Sequence, residues 1–185
     1  MSMQRASTGI HLVSDRLVLR EFVVTDQDAV HSFAADPLVT RFTDWGPNSI
    51  EDTRAFLAGA TAQATNRERA EFTLAAVHAG SGRLIGSVAI GITSVQHRRG
   101  EIGFVFHRDV WSQGYATEAA QQLLQFGFDR LQLRRISATC HPDNHASAHV
   151  LEKAGLHYEG RMRSHLLVRG AWRDSLLYAA LNSDR

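Results

Sequence analysis

Alternating and helix-spaced apolar residues predict the order βααβββαβα, with further strands at the end of the chain. Strands are predicted at 16–20, 71–78, 83–92, 99–106 and 136–140, and near 156–159, 164–168 and 175–181. Helices are predicted at about 25–36, 49–65, 117–131 and 146–154. This alternation of strands and helices indicates an α/β (α+β) fold with a mixed sheet. The core strands alternate only weakly between apolar and polar residues, which predicts helices on both faces of the sheet.

Length and composition narrow the class of protein. The 185 residues suit one domain, and 44% hydrophobic with 21% charged residues is typical of globular proteins. A formal net charge of +1 gives no reason to expect nucleic-acid or membrane binding. The single cysteine, Cys140, excludes an intrachain disulfide and disfavours a thiolate zinc site, so we expect no metal. The sequence shows no signal peptide and no apolar run of membrane length, and we expect a cytoplasmic protein.

A glycine-containing stretch between a predicted strand and a predicted helix is the strongest chemical signal. The stretch WSQGYATEA, residues 111–119, follows the strand at 99–106 and opens the helix at 117–131. The small residues Gly114 and Ala116 would let an anion approach the free amides of a helix N-terminus. The stretch lacks both the lysine of a Walker loop and the three glycines of a dinucleotide fingerprint. Spacing alone therefore leaves a tight turn and a pyrophosphate site as open interpretations.

Several ordered motifs resemble the GNAT N-acetyltransferases, and among these the RimJ/RimL branch. EIGF at 101–104 and WSQGYATEA at 111–119 resemble motif A, where the branch typically has Trp-Gly-Lys-Gly-Tyr-Ala-Thr-Glu-Ala. Further similar segments are RLVLR at 16–20, NHAS at 144–147, LEKAGL at 151–156, EG at 159–160 and GAWRD at 170–174. The resemblance implies a central mixed, mostly antiparallel sheet flanked by helices on both faces. It covers most of residues 12–181, which we expect to be the core of a single domain.

The resemblance also implies acetyl-CoA as cosubstrate and direct acetyl transfer to a bound amine, without an acyl-enzyme. The amides implied to hold its pyrophosphate belong to Gln113, Gly114, Tyr115, Ala116 and Thr117. A strand amide among Phe104, Val105 and Phe106 is implied to stabilise the tetrahedral oxyanion. Asn144 is implied to hold the pantetheine arm.

Glu101 and Ser147 are the candidate catalytic residues. Glu101 lies on the strand implied to run beside the cofactor and is the candidate base, directly or through water. The alternative for Glu101 is a surface acid beside Arg98 and Arg99. Many GNATs have a tyrosine that protonates the thiolate where this chain has Leu151. Ser147 is therefore the candidate replacement, as a relaying or hydrogen-bonding hydroxyl; the alternative is a hydroxyl bonded to its own helix backbone.

Three residues of the glycine stretch depart from the general pattern. Trp111 stands where many GNATs have Gln or Arg; the RimJ/RimL branch also has tryptophan at this position. Ser112 replaces the glycine of the branch and Gln113 replaces its lysine. The serine predicts that one amide is less open to the cofactor.

The identity of the acceptor is left open by the sequence. The resemblance to RimJ/RimL favours the N-terminal α-amine of a protein or peptide, of the ribosomal-protein type. The alternatives are a small-molecule amine (amino acid, polyamine or aminoglycoside) and a non-catalytic CoA-binding module. The expected acceptor segments, 36–52 and 161–174, carry mixed charge and do not select among these. The family resemblance also allows a homodimer.

Histidine and cysteine residues outside these motifs receive plainer interpretations. His141, His145 and His149 recur every four residues, but zinc requires further ligands, so we interpret them as polar surface positions. Cys140 ends a predicted buried strand and is interpreted as a core residue. A nucleophilic triad of Cys140 with the neighbouring His141 and Asp143 is disfavoured, because sequence neighbours rarely form one.

Overall fold

The structure, a computed structural model, describes residues 9–66 and 68–185, which form eight β-strands and four α-helices. The strands are β1 (His11–Val13), β2 (Leu17–Glu21), β3 (Glu71–His78), β4 (Leu84–Ser94), β5 (Arg99–Phe106), β6 (Arg135–Cys140), β7 (His157–Val168) and β8 (Ala171–Leu181). The helices are α1 (Gln27–Ala34), α2 (Ile50–Thr65), α3 (Tyr115–Asp129) and α4 (His145–Ala154). Within these described residues, no helix has the length and apolar character needed to cross a membrane.

The strands form one sheet in the order β1-β2-β3-β4-β5-β6-β8-β7. β5 and β6 run parallel, and the other neighbouring strands of the described sheet run antiparallel. The chain passes from β5 to β6 through α3, as a crossover between parallel strands requires. The predicted mixed, mostly antiparallel sheet is confirmed.

Each face of the sheet carries its own apolar core. Along β3, Leu74 and Ala76 pack into the core beneath α3 and α4, whereas Ala75 and Val77 pack against α1 and α2. This division follows from the two-residue period of a strand, which sends successive side chains to opposite faces. The prediction of helices on both faces is therefore confirmed.

β5 and β6 diverge soon after they meet. Their register joins Arg99–Glu101 to Arg135–Ser137 and ends there. β5 continues to pair with β4 as far as Phe106, and β6 continues to pair with β8 as far as Cys140. Residues 102–106 and 138–140 consequently border a wedge-shaped opening, here termed the strand gap. Because the two strands are parallel, the strand gap widens toward their carboxyl ends.

Some element bounds differ from the predicted ones for local reasons. β7 is continuous where two strands were expected, because an irregular register between Met162 and Leu166 interrupts the alternation of side chains. Helix α3 begins at Tyr115 rather than residue 117, because Gly114 is its N-cap. β1 was not predicted, since its three residues are too few to establish a pattern.

Candidate active site

The N-termini of α3 and α4 both lie at the wide end of the strand gap. Helix α3 follows β5 after residues 107–114, and α4 follows β6 after residues 141–144. The first turn of any helix has unpaired amide donors and a partial positive charge. The parallel pairing of β5 and β6 thus brings two sets of donors to the same edge of the sheet, where parallel sheets commonly bind ligands.

A run of backbone donors without acceptors spans the start of α3. These residues, 112–117, are termed the amide loop. Beyond Trp111, the next N–H group with a backbone acceptor is that of Glu118, which donates to the Gly114 carbonyl at 3.1 Å. The N–H groups of the amide loop donate no hydrogen bond to any of the described residues. The geometry fits the anion-binding interpretation, because a phosphate needs several converging donors.

Two residues of the amide loop have a left-handed backbone. Gly114 has a φ of +85° and Ser112 a φ of +60°. A Cβ at Gly114 would lie 3.2 Å from Nη2 of Arg16, so glycine relieves both strain and crowding. Ser112 stands where the RimJ/RimL pattern has glycine, and it keeps a glycine-like conformation at a strain on the order of 1 kcal/mol.

Arg16 and Ser14, between β1 and β2, fix the amide loop and the first turn of α3. Arg16 Nη1 donates to the Gln113 carbonyl at 2.9 Å, and its Nε donates to Oε2 of Glu118 at 2.7 Å. Ser14 Oγ and the Arg16 amide donate to Oε1 of Glu118 at 2.6 and 3.0 Å. Burial tends to raise the pKa of Glu118, but these hydrogen bonds and the Arg16 charge hold that pKa below its ordinary value.

A cavity of about 470 Å³ lies beside the amide loop. Gly114 and Thr117 form one wall of this cavity, and Lys153, in the last turn of α4, forms another. The Lys153 ammonium adds positive charge next to the free amides. These residues together could hold the phosphates of a cosubstrate.

The backbone of β5 directs alternate amides into the strand gap. The His107 N–H donates to the Ile85 carbonyl at 2.8 Å, on the β4 side. Because backbone groups alternate sides along a strand, the Val105 amide also faces β4. The amides of Phe104 and Phe106 therefore point into the strand gap, and they are the donors available to an oxyanion there.

Glu101 lies at the narrow end of the strand gap. It is registered with Gly91 on β4 and Ser137 on β6. Its side chain is exposed and shares the α1 and α2 face with Val105, four residues along the strand. Three residues, or about 10 Å, separate it from Phe104.

The first turn of α4 contains Asn144 and Ser147. Oδ1 of Asn144 accepts a hydrogen bond from the Ser147 N–H at 3.1 Å and caps the helix. The half-buried Ser147 hydroxyl has no hydrogen-bond partner among the described residues, so it is not bonded to its own helix backbone. Leu151, at the position where many GNATs have tyrosine, is buried in the core with 1% of its surface exposed.

A second cavity, of about 560 Å³, opens beyond the carboxyl end of β6 and is termed the basic cavity. Its arginines are Arg41, Arg161, Arg169 and Arg173. The predicted acceptor segments, 36–52 and 161–174, meet around it. His141, which follows β6, stacks on Phe42 with 4.9 Å between ring centroids. The basic cavity lies on the same face of the sheet as Glu101, since His141 stacks on Phe42, in the segment between α1 and α2, and Glu101 shares the face that these two helices cover.

Cys140 is buried at the end of β6. Burial, and then the nearby charge of Glu152, raise the pKa of its thiol to about 11. The sulfur is therefore a protonated thiol at neutral pH and a poor nucleophile. This agrees with the interpretation of Cys140 as a core residue.

The structure groups most of the predicted residues around the wide end of the strand gap. The amide loop, the Phe104 and Phe106 amides and the first turn of α4 lie there, whereas Glu101 lies at the narrow end. The sequence did not identify Arg16 or Lys153 as site residues. Arg16 belongs to the RLVLR segment, but its bond to Glu118 joins residues 102 positions apart, which no local pattern reveals.

Comparison with known proteins identifies the family. The Acetyltransferase (GNAT) domain family matches residues 16–157. The chain is 33% identical over 175 residues to YnaD, an uncharacterized N-acetyltransferase of Bacillus subtilis (strain 168), covering 95% of this chain and 99% of that one. A solved GNAT-family acetyltransferase from Bacillus anthracis is 32% identical with a TM-score of 0.84, covering 94% and 99% of the two chains. Mycobacterium smegmatis RimJ, solved in complex with CoA-disulfide, is 26% identical with a TM-score of 0.81, covering 95% and 88%.

The fold and the free amides fit the class of proteins that bind a phosphate-bearing cosubstrate where a sheet divides. Because the family match covers most of the chain, the chain belongs to the GNAT family. It is an N-acetyltransferase with acetyl-CoA as its cosubstrate. The predicted family and enzyme class are confirmed. The residues present fit acetyl-CoA, because the free amides and Lys153 suit its phosphates and the strand gap offers amides to its carbonyl.

Proposed function

We propose that the protein transfers the acetyl group of acetyl-CoA directly to the α-amine of a protein or peptide N-terminus. The run of free amides in residues 112–117, next to the gap-facing amides of Phe104 and Phe106, carries this proposal. The free amides of residues 112–117 provide a site for a pyrophosphate, and the amides of Phe104 and Phe106 provide a site for a carbonyl oxygen at the same edge of the sheet. We further propose that residues 12–181 form one catalytic domain that works in the cytoplasm.

In this proposal the amide loop and β5 bind different parts of acetyl-CoA. Acetyl-CoA, when bound, supplies the thioester that is attacked. The N–H groups of Gln113 through Thr117 hold its pyrophosphate. The Phe104 amide, or that of Phe106, donates to the thioester oxygen as negative charge develops on it during attack. These donors are fixed by strand pairing and by the Arg16 contacts, so they need no rearrangement during the reaction.

Glu101 and Ser147 handle the two protons of the reaction. The amine must lose a proton, and Glu101 accepts it through water across about 10 Å. The departing thiolate must take up a proton, and the Ser147 hydroxyl relays to it the proton that the attacking nitrogen loses as the amide forms. Asn144 presents its side-chain amide to the pantetheine arm while its carbonyl oxygen caps α4. An α-amine with a pKa near about 8 demands less of this base than a lysine amine near about 10.4.

Two observations favour an α-amine over the other acceptors. The RimJ/RimL resemblance in the sequence is accompanied by 26% identity to a RimJ structure over 95% of this chain. The four arginines of the basic cavity disfavour polyamines and aminoglycosides, because like charges repel at close range.

Release of CoA thiol from acetyl-CoA with a panel of amines tests the proposal. The panel contains peptides with N-terminal serine or alanine, free amino acids, spermidine and an aminoglycoside, and mass spectrometry identifies the acetylated nitrogen. Acetylation of peptide α-amines well above that of spermidine is expected. Tight CoA binding with no acetylation of any amine would contradict the proposal and indicate a CoA-binding module instead. Preferential acetylation of spermidine or the aminoglycoside would contradict the assigned acceptor.

A further inference from the structure

The basic cavity carries more positive than negative charge. Four arginines line it, together with only two carboxylates, Asp143 and Asp174. Asp174 is already engaged, because its Oδ2 accepts from Nε of Arg161 at 2.7 Å. Oδ2 of Asp143 lies 3.8 Å from Nδ1 of His141. These carboxylates leave an excess of cationic side chains in the cavity.

Backbone carbonyls hold two of the remaining arginines in place without neutralising them. Arg173 Nη1 donates to the Phe42 carbonyl at 2.8 Å, and its buried Nε has no partner among the described residues. Arg169 Nη2 donates to the Gly46 carbonyl at 2.7 Å. A carbonyl fixes a guanidinium but keeps its charge, so these side chains are prearranged for an anion.

Arg41 differs from these two arginines in its contacts. Its guanidinium lies over the Phe42 ring, 4.9 Å from the centroid, and the side chain is exposed. Stacking on a ring face leaves the edge of the guanidinium free to bind a planar or tetrahedral oxyanion.

His141 adds a neutral donor to the same wall. Its Nδ1 accepts a hydrogen bond from the Asp143 amide at 3.0 Å, so the neutral ring carries its proton on Nε2. Burial lowers the pKa of His141; Asp143 opposes this, and the charges of Arg173 and Arg41 reinforce it. The imidazole is thus a neutral hydrogen-bond donor at neutral pH rather than a cation.

The location of the basic cavity connects it with the acceptor side of the strand gap. Cys140 is registered with Leu176 on β8, so Arg173 lies just beyond the end of β6. His141 directly follows β6 and stacks on Phe42, between α1 and α2, the helices on the face that also carries Glu101. An amine that approached the Phe104 amide from this face would pass the arginines of the cavity.

We propose that the basic cavity binds an oxyanion of the acceptor, a carboxylate or phosphate group carried by the same molecule as the reactive amine. This inference rests on the proposed function and specifies its acceptor chemistry. It selects peptides with an acidic residue next to the N-terminus, free amino acids, or amines that bear a phosphate. It excludes polyamines and peptides that begin with several basic residues.

Matched acceptors with the same N-terminal serine test this inference. The tripeptide amides Ser-Glu-Ala, Ser-phosphoserine-Ala and Ser-Gln-Ala present a carboxylate, a phosphate or a neutral amide beside nearly the same α-amine. We expect kcat/KM for the better anionic peptide to exceed that for the neutral one by about tenfold or more. The anionic peptide with the larger preference identifies the oxyanion. Equal kcat/KM for all three peptides would overturn the inference and leave the proposed function intact.

Substitution of Arg41 tests the site of recognition. Arg41→Gln is expected to lower kcat/KM for the better anionic peptide by a much larger factor than it lowers kcat/KM for Ser-Gln-Ala, so that most of the preference is lost. Arg130→Gln is the matched control, because it removes one arginine charge at the end of α3, on the opposite face of the sheet. A loss in Arg41→Gln that is equal for anionic and neutral peptides, or equal to that in Arg130→Gln, would contradict the inference.

Calorimetric titration of the same peptides into the protein–CoA complex separates this inference from the proposed function. Tighter binding of an anionic peptide than of Ser-Gln-Ala supports the inference even if no peptide is acetylated. Equal binding of all three peptides overturns it. Absence of acetylation with every amine bears on the proposed function alone.

Discussion

At the scale of single residues, backbone conformation decides whether the amide loop can hold an anion. Gly114 and Ser112 are both left-handed, and together they direct consecutive N–H groups away from the chain. Trp111 supports this arrangement, because its indole Nε1 donates to the Phe106 carbonyl at 2.9 Å at the wide end of the strand gap. Substitutions at these positions should therefore weaken binding of the cosubstrate more than binding of the acceptor.

Gly114→Val is expected to abolish detectable binding of acetyl-CoA. A β-branched residue strains a φ of +85°, and its Cβ would lie 3.2 Å from Arg16 Nη2. Gly91→Val on β4 offers a control with the same side chain, because no atom lies within 4 Å of its added Cβ. Titration calorimetry measures the affinity. Unchanged affinity in a folded Gly114→Val protein would exclude the amide loop as the pyrophosphate site.

Ser147→Ala is expected to lower kcat by about tenfold or more with little change in the affinity for acetyl-CoA. The hydroxyl has no partner in the described chain, so its loss leaves the fold intact and removes a donor to the leaving thiolate. Ser147→Thr, which keeps the hydroxyl, should recover part of the rate. Steady-state kinetics with saturating amine separate kcat from KM. Wild-type kinetics in Ser147→Ala would remove this residue from the mechanism.

Some of the candidate site residues could be predicted from the sequence and others could not. The amide loop could be predicted, because the small residues and the helix start are adjacent in the chain. The choice of Phe104 and Phe106 over Val105 could not, because it depends on which edge of β5 pairs with β4. The absence of a partner for the Ser147 hydroxyl among the described residues likewise depends on the folded surroundings of α4.

At the scale of elements, a few polar contacts fix α3 relative to the sheet. The Glu118 carboxylate in the first turn of α3 receives hydrogen bonds from Ser14 and Arg16, beside β2. Its negative charge also lies at the positive end of the α3 dipole. The helix start that presents the amide loop is thereby fastened to a distant segment of the chain.

Glu118→Gln is expected to lower the free energy of unfolding at pH 7 by about 1–3 kcal/mol. The folded-state pKa of Glu118 lies below its ordinary value, so its contribution is fully present above the unfolded-state pKa. That contribution is lost as the pH falls through the folded-state pKa. Urea unfolding of both proteins between neutral and acidic pH measures the difference, which should shrink below about pH 4.

Glu51→Gln provides the control for this stability measurement. Glu51 lies 3.6 Å from Arg54 in an exposed pair on α2, and its loss should change the unfolding free energy by less than about 1 kcal/mol. A Glu118→Gln deficit that grows as the pH falls would contradict the assigned direction of the pKa shift. A deficit no larger than that of Glu51→Gln would show that Glu118 does not anchor α3.

Most elements could be predicted from the sequence, because strand and helix periods are local. β3 and β5 have the predicted bounds, and α2 ends where expected. The continuity of β7 could not be predicted, since the irregular register between Met162 and Leu166 disrupts the two-residue period.

At the scale of the whole molecule, the divergence of β5 and β6 determines where the proposed active site lies. It exposes the amides of one strand and places two helix starts at the same edge. The two cavities lie on either side of this edge, one next to the amide loop and one lined by arginines. The segments that line the basic cavity were predicted to contact the acceptor, but its excess of arginines could not be predicted, because these side chains meet only in the folded chain. This layout supports simultaneous binding of donor and acceptor.

Direct transfer is the central claim, and intact-protein mass spectrometry tests it most directly. The protein is mixed with one equivalent of acetyl-CoA, held without amine, and then given a peptide with an N-terminal serine. Direct transfer predicts an unmodified protein mass throughout and an acetyl group on the peptide α-amine only after the peptide is added. An acetylated protein that forms without amine and passes its acetyl group to the peptide would contradict it.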